Sequence, residues 1–65
     1  MINILIHKTS EVYTKKIRIG TTILQYCVVL FGAKIGENCN INCHCFVEND
    51  VIIGNNVTIK SGVYL

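Results

Sequence analysis

The sequence predicts an all-β fold, a parallel β-helix of about three coils built from six-residue units, and three observations carry that expectation. Counting in sixes from Ile17 meets Ile17, Ile23, Val29, Ile35, Ile41, Val47, Ile53, Ile59 and Leu65, nine aliphatic residues without a miss. Four residues after each of the first eight come Thr21, Cys27, Ala33, Cys39, Cys45, Val51, Val57 and Val63, all small or β-branched and able to face a crowded interior. Three residues after the same eight come Gly20, Tyr26, Gly32, Asn38, His44, Asp50, Asn56 and Gly62, of which six are Gly, Asn or Asp. Those types tolerate a left-handed backbone at least cost, which is what a tight corner asks for. Two inward positions per unit and a turn residue between them describe a solenoid, in which each unit hides its apolar face only by stacking on its neighbours. There is no run of apolar residues at the alternating three and four spacing of a helix.

Taken in order, residues 1–16 form an irregular first coil and residues 17–65 regular coils, in a single β-helix segment. Strands are expected from about Ile4. Ile6 and Val12 are six apart and Ser10 takes the small inward position, but only five residues separate Val12 from Ile17. The polar segment Tyr13 to Lys16 can absorb this slip at a corner. From Ile17 onward three short strands per coil give three flat faces. The repeat stops on the inward Leu65 with no polar cap, so the sequence reads as the opening of a longer protein, truncated at its C-terminal end. A chain of 65 residues also buries little surface on its own. Partner subunits can supply some of the missing stability by mass action.

Composition narrows the function. The net charge of +2 is small, and Lys8, Lys15, Lys16, Arg18, Lys34 and Lys60 show no sustained basic face along the chain, which argues against nucleic acid as a partner. The longest unbroken apolar run, Tyr26 to Phe31, is far shorter than a membrane span, so no membrane partner is expected. Met1 to Lys8 lacks the layout of a secretory leader, and a cytoplasmic location is the expectation.

The four cysteines invite a zinc or disulfide reading, with Cys39, Cys43 and Cys45 flanking His44. The register argues against metal. Cys27, Cys39 and Cys45 fall in the small inward column, where a thiol acts as a compact hydrophobe. Cys43 lies two residues after Ile41, at a corner, pointing away from the others. Cys27 and Cys45 are eighteen residues apart and stack about one strand spacing from each other, within disulfide reach. Free thiols are expected in a reducing compartment.

Tyr26 and His44 are the two exceptions in the turn column, and they too are eighteen apart, on one corner. His tolerates positive φ better than most residues. An ordinary turn histidine beside an exposed tyrosine is one reading; a corner facing a ligand or a second subunit is the other. Val28, Phe46 and Tyr64 stack on the adjoining face with Leu24 and Leu30 close by, and an outward apolar stripe is usually covered. A cyclic homotrimer is the favoured cover for a three-sided solenoid, and a further segment of the same chain is the alternative.

The stretch Ala33-Lys34-Ile35-Gly36-Glu37-Asn38-Cys39-Asn40-Ile41-Asn42, continuing through Cys45-Phe46-Val47-Glu48-Asn49-Asp50-Val51-Ile52-Ile53-Gly54 to Lys60, resembles the left-handed β-helix acyltransferases of the hexapeptide-repeat class. Within them it is most similar to N-acetyltransferases acting on nucleotide-linked 3-amino-3,6-dideoxyhexoses. The resemblance implies a left-handed coil and a homotrimer with sites between adjacent β-helices. It further implies acetyl-CoA as co-substrate, no metal, and a dTDP-linked amino sugar as acceptor in surface polysaccharide or glycan biosynthesis. Chemically, an amine attacks a thioester carbonyl, so a site must orient both, take up a proton and stabilise an oxyanion. The same resemblance suggests Gln25, Tyr26, Asn42, His44 and Glu48 as substrate-side residues, with His44 the candidate for catalysis. No cofactor-binding residues are expected within this segment, because the coils that would form the CoA site are absent from it. Two positions depart from the pattern: Leu24 stands where relatives often carry tryptophan, and Phe31 where proline is common.

A non-catalytic β-helix module, or an inactive remnant of a longer gene, is the alternative. An ice-binding face would need an unbroken threonine array, and Asn40 interrupts Thr22 and Thr58. A hexapeptide-type carbonic anhydrase would need three ligating histidines, and only His7 and His44 are present.

Overall fold

A computed structural model describes residues 4–65, so the first coil is seen from Ile4 onward and the start of the expected 1–16 coil lies outside the described residues. Nine two-residue strands follow one another: β1 Leu5–Ile6, β2 Glu11–Val12, β3 Thr22–Ile23, β4 Val28–Val29, β5 Lys34–Ile35, β6 Asn40–Ile41, β7 Phe46–Val47, β8 Ile52–Ile53 and β9 Thr58–Ile59. They stack in parallel as three sheets, β1-β3-β6-β9, β2-β4-β7 and β5-β8, one for each side of a triangular coil. Bridges from Ile17 to Ile35 and from Phe46 to Tyr64 extend the third and second sheets. Among the described residues no helix is long and apolar enough to cross a membrane.

The register records the slip. β1 and β2 pair with β3 and β4 at an offset of seventeen, as in Ile6 with Ile23 and Val12 with Val29. From Ile17 onward the offset is eighteen, as in Ile23 with Ile41 and Val29 with Val47. The missing residue is taken out between Val12 and Ile17, where Thr14 is buried and its hydroxyl donates to the Ala33 carbonyl at 2.6 Å.

The aliphatic column forms the core. Ile23, Val29, Ile41 and Val47 are fully buried, and Ile35, Ile53 and Ile59 nearly so. From β3 to β9 each strand buries one residue and turns its neighbour outward, the alternation that a pleated strand imposes, whereas both residues of β1 are exposed at the open end of the stack. The small column adds a hydrogen-bond ladder along the helix axis. The Ser10 hydroxyl donates to the Leu24 carbonyl (2.6 Å), Thr21 to Gly36 (2.7 Å), Cys27 to Asn42 (2.9 Å), and Cys39 and Cys45 to Gly54 and Lys60 (3.1 Å each). Each acceptor is the residue after the next coil's inward aliphatic. An inward thiol here is therefore more than a hydrophobe, since it also ties one coil to the next.

Seven of the eight turn-column residues have positive φ, including Tyr26 (56°) and His44 (58°). Gly32 is the exception, and its glycine is there for space: a Cβ would sit 3.1 Å from Asn49 Oδ1, which accepts the Gly32 N–H at 2.8 Å. Gly36 is tighter still, since a Cβ would lie 2.6 Å from the Gly54 carbonyl oxygen. Gly36→Ala should therefore lower stability by roughly 1–3 kcal/mol through forced backbone displacement. Gly54→Ala, which meets nothing within 4 Å, should stay within about 0.5 kcal/mol in the same denaturant titration.

Candidate functional site

The corner between the first and second sheets gathers three of the five sequence-predicted residues. Three residues past β3, the chain enters the left-handed region at Tyr26; one coil on, it does so again at His44, and the shared conformation aligns their side chains. The rings stack with centroids 5.2 Å apart and planes inclined by 25°. The His44 N–H donates to the Gln25 carbonyl at 3.0 Å, and the Tyr26 N–H donates to Thr9 Oγ1 at 3.0 Å. The Gln25 side chain accepts the Cys43 thiol at 3.6 Å. That contact turns Cys43 away from Cys39 and Cys45, whose thiols point inward to carbonyls of the next coil.

Beside the stack lies an open groove of about 380 Å³ lined by Tyr26, Val28, His44, Cys45, Phe46 and Tyr64. Phe46 and Tyr64 meet at 6.2 Å in a tilted aromatic pair. The apolar stripe and the exceptional corner are thus one continuous surface. Chemically it offers an imidazole and phenols beside an aromatic wall, which suits a planar or sugar ring with polar edges. Leu24 belongs elsewhere, to a second apolar groove with Leu5 and Ile6 on the first sheet. Of the five predicted residues only Tyr26 and His44 line the groove; Gln25 shares their corner but lies outside the lining, and Asn42 and Glu48 lie outside it too. Asn42 precedes the corner, with its carbonyl engaged by the Cys27 thiol, and Glu48 follows β7 as an exposed residue outside the lining.

Among the described residues no three His, Cys, Asp or Glu side chains converge on a common point as a metal ion needs. All four cysteines are free thiols. Burial pushes the Cys27 thiol above its ordinary pKa, so thiolate chemistry there is suppressed. Brief alkylation of the native protein should therefore modify Cys43 first, with Cys27, Cys39 and Cys45 reacting only on unfolding; rapid labelling of all four would contradict the inward ladder.

The reading along the chain missed one feature. Lys15, Lys16, Arg18 and Lys34 line a common groove on the third sheet, so the expectation of no basic face is corrected. The signal was present in the slip: restoring the eighteen-residue offset from Ile17 sets Lys16 beside Lys34.

Comparison with known proteins agrees with this geometry. Residues 32–65 match the family model for bacterial transferase hexapeptide (six repeats). The chain is 50% identical over 40 residues to the acyl-(acyl-carrier-protein)–UDP-N-acetylglucosamine O-acyltransferase of Campylobacter concisus (strain 13826), an alignment covering 62% of this chain. It spans 15% of that relative's length. The six-residue period, the parallel three-sided coils and a family match over more than half of the chain together place this left-handed parallel β-helix in the bacterial transferase hexapeptide family.

Proposed function

We propose that the chain contributes the opening coils of an acyltransferase that acylates the amine of a nucleotide-linked amino sugar, with acetyl-CoA as donor. The observation that carries this reading is the Tyr26–His44 stack, which sets a ring-binding surface and an imidazole side by side in a transferase-family coil. In this reading His44 accepts the proton released as the amine attacks the thioester carbonyl and the CoA thiolate leaves. Tyr26 and Gln25 orient the acceptor through ring contact and hydrogen bonds, and Asn42 and Glu48 supply polar contacts at its margins. The protein works in the cytoplasm, where nucleotide sugars and acyl thioesters are both available, as a homotrimer whose neighbouring subunit completes the site over the Val28, Phe46 and Tyr64 stripe.

A second reading is favoured by the Campylobacter relative, whose name describes transfer from an acyl carrier protein to oxygen of a UDP-linked amino sugar. One experiment separates them. The intact protein is incubated with acetyl-CoA and a dTDP-3-amino-3,6-dideoxyhexose, and in parallel with an acyl carrier protein thioester and UDP-N-acetylglucosamine. An N-acetylated product in the first arm is the expected result; an O-acyl product in the second would replace it. Absence of both would leave a structural module. For the assembly, Phe46→Glu should dissociate the trimer in sedimentation, since it buries an unpaired charge in an apolar contact. An unchanged oligomer would remove the stripe from the interface.

A further inference from the structure

The third face of the coil carries a groove that the acyl-transfer reading does not use. It has a volume of about 490 Å³ and is lined by Lys15, Lys16, Arg18 and Lys34 around Ile17, Ile35, Ile52 and Ile53, with Gly36 between. It lies opposite the Tyr26–His44 corner, since that corner joins the first two sheets and this groove covers the third. Four of the chain's six cations line it and none of its four carboxylates does. The remainder of the chain, with Lys8 and Lys60 against those four carboxylates, has a net charge of −2. The +2 total thus conceals a strong polarity. Glu37 reaches Arg18 at 3.6 Å from the groove's edge, and among the described residues the three lysines have no ion pair.

Folding alone does not account for this arrangement. The bridge between Ile17 and Ile35 sets Lys16 directly beside Lys34, about 4.8 Å away along the stack. Like charges opposite each other on neighbouring strands are destabilising. Gly36 lines the groove beside Arg18, and Ile52, 73% exposed, offers an apolar ledge next to the cations. We propose that this groove binds a small soluble organic diphosphate, its two phosphoryl groups held by Lys16, Lys34, Lys15 and Arg18 and its organic body against Ile17 and Ile52. The charge count requires more than a single carboxylate. The volume falls in the range of small-molecule sites, roughly 300–1,000 Å³. Two lysines one strand apart suit two adjacent phosphoryl groups, and Arg18 adds a planar fork for their oxygens.

The test uses inorganic pyrophosphate as the probe, titrated calorimetrically into the full chain. Saturable binding is expected at one site per chain, weakening steeply between about 50 and about 200 mM salt. The double substitution Lys16→Gln and Lys34→Gln should raise the Kd at least about tenfold, because each charged hydrogen bond lost carries a large share of the affinity. The unliganded double variant should melt no lower than the wild type, since the stacked repulsion is gone, and pyrophosphate should raise the wild-type Tm alone. Lys8→Gln with Lys60→Gln should leave the Kd unchanged. Equal affinity in the Lys16 and Lys34 variant, or no saturable pyrophosphate binding, would overturn the proposal. Retention on polyglutamate or anionic vesicles without pyrophosphate binding would overturn it too, and would make the face a macromolecular docking surface.

Discussion

Ile41→Ala is expected to produce the largest single loss of stability in the chain, about 2–5 kcal/mol, read as a shift in the denaturant midpoint of the intact protein. Ile41 is fully buried in β6, between β3 and β9 in the longest sheet, so its side chain contacts the coils on both sides. Removing it leaves a cavity that a solenoid closes poorly, because the stacking of every coil is fixed by backbone hydrogen bonds above and below, such as Leu24 N–H to Ile41 C=O at 2.9 Å. Ile19→Ala, outward and 58% exposed, should cost under about 0.5 kcal/mol. A loss at Ile41 no greater than at Ile19 would mean that the inward column is not the core.

Thr21→Val is expected to cost about 2–4 kcal/mol, although it preserves shape and adds apolar surface. The Thr21 hydroxyl is fully buried; it donates to the Gly36 carbonyl at 2.7 Å and accepts the Cys39 N–H at 3.2 Å. Valine can do neither, so two backbone groups in the interior lose their partner, at roughly 1–3 kcal/mol each. Thr21→Ser keeps the hydroxyl and should recover most of the loss, apart from the small cavity left by the methyl group. A valine variant as stable as the wild type, or a serine variant less stable than the valine one, measured by thermal or chemical unfolding, would show that the methyl group matters and the ladder does not.

Most of the fold was legible because one rule governs it. A column at period six needs no knowledge of long-range contacts: the contacts are the period. The corners followed from residue type at Asn38, Asp50 and Asn56, and the rule failed where type and conformation part company. Tyr26 adopts positive φ without being favoured there, and His44 does so with less local preference than Asn or Gly, so the stacking of coils holds the backbone at this corner. Gly32 has the permissive residue and does not use its φ. The thiol ladder was invisible because a cysteine's donor role depends on which carbonyl lies above it. The basic groove was missed for a related reason: Lys15 and Lys16 look isolated until the slip before Ile17 is resolved. Of the candidate site, the pairing of Tyr26 with His44 could be read from their spacing alone. The detachment of Glu48 could not, since it depends on where the lining of the groove stops.

The coexistence of two periods in one chain has an evolutionary consequence. The interior repeats every six residues, whereas the surface columns repeat every eighteen, the offset that pairs Val28 with Phe46 and Lys34 with Ile52. Losing one residue within a strand would turn every later side chain inside out, and such a change survives only at a corner, as before Ile17. Losing six would leave the interior intact while rotating all later surface chemistry by one side of the triangle, carrying a lysine column onto the aromatic side. Losing eighteen would disturb neither. Lineages descended from this chain can therefore change length freely only in whole turns, and any six-residue indel among them marks a place where the faces have exchanged roles.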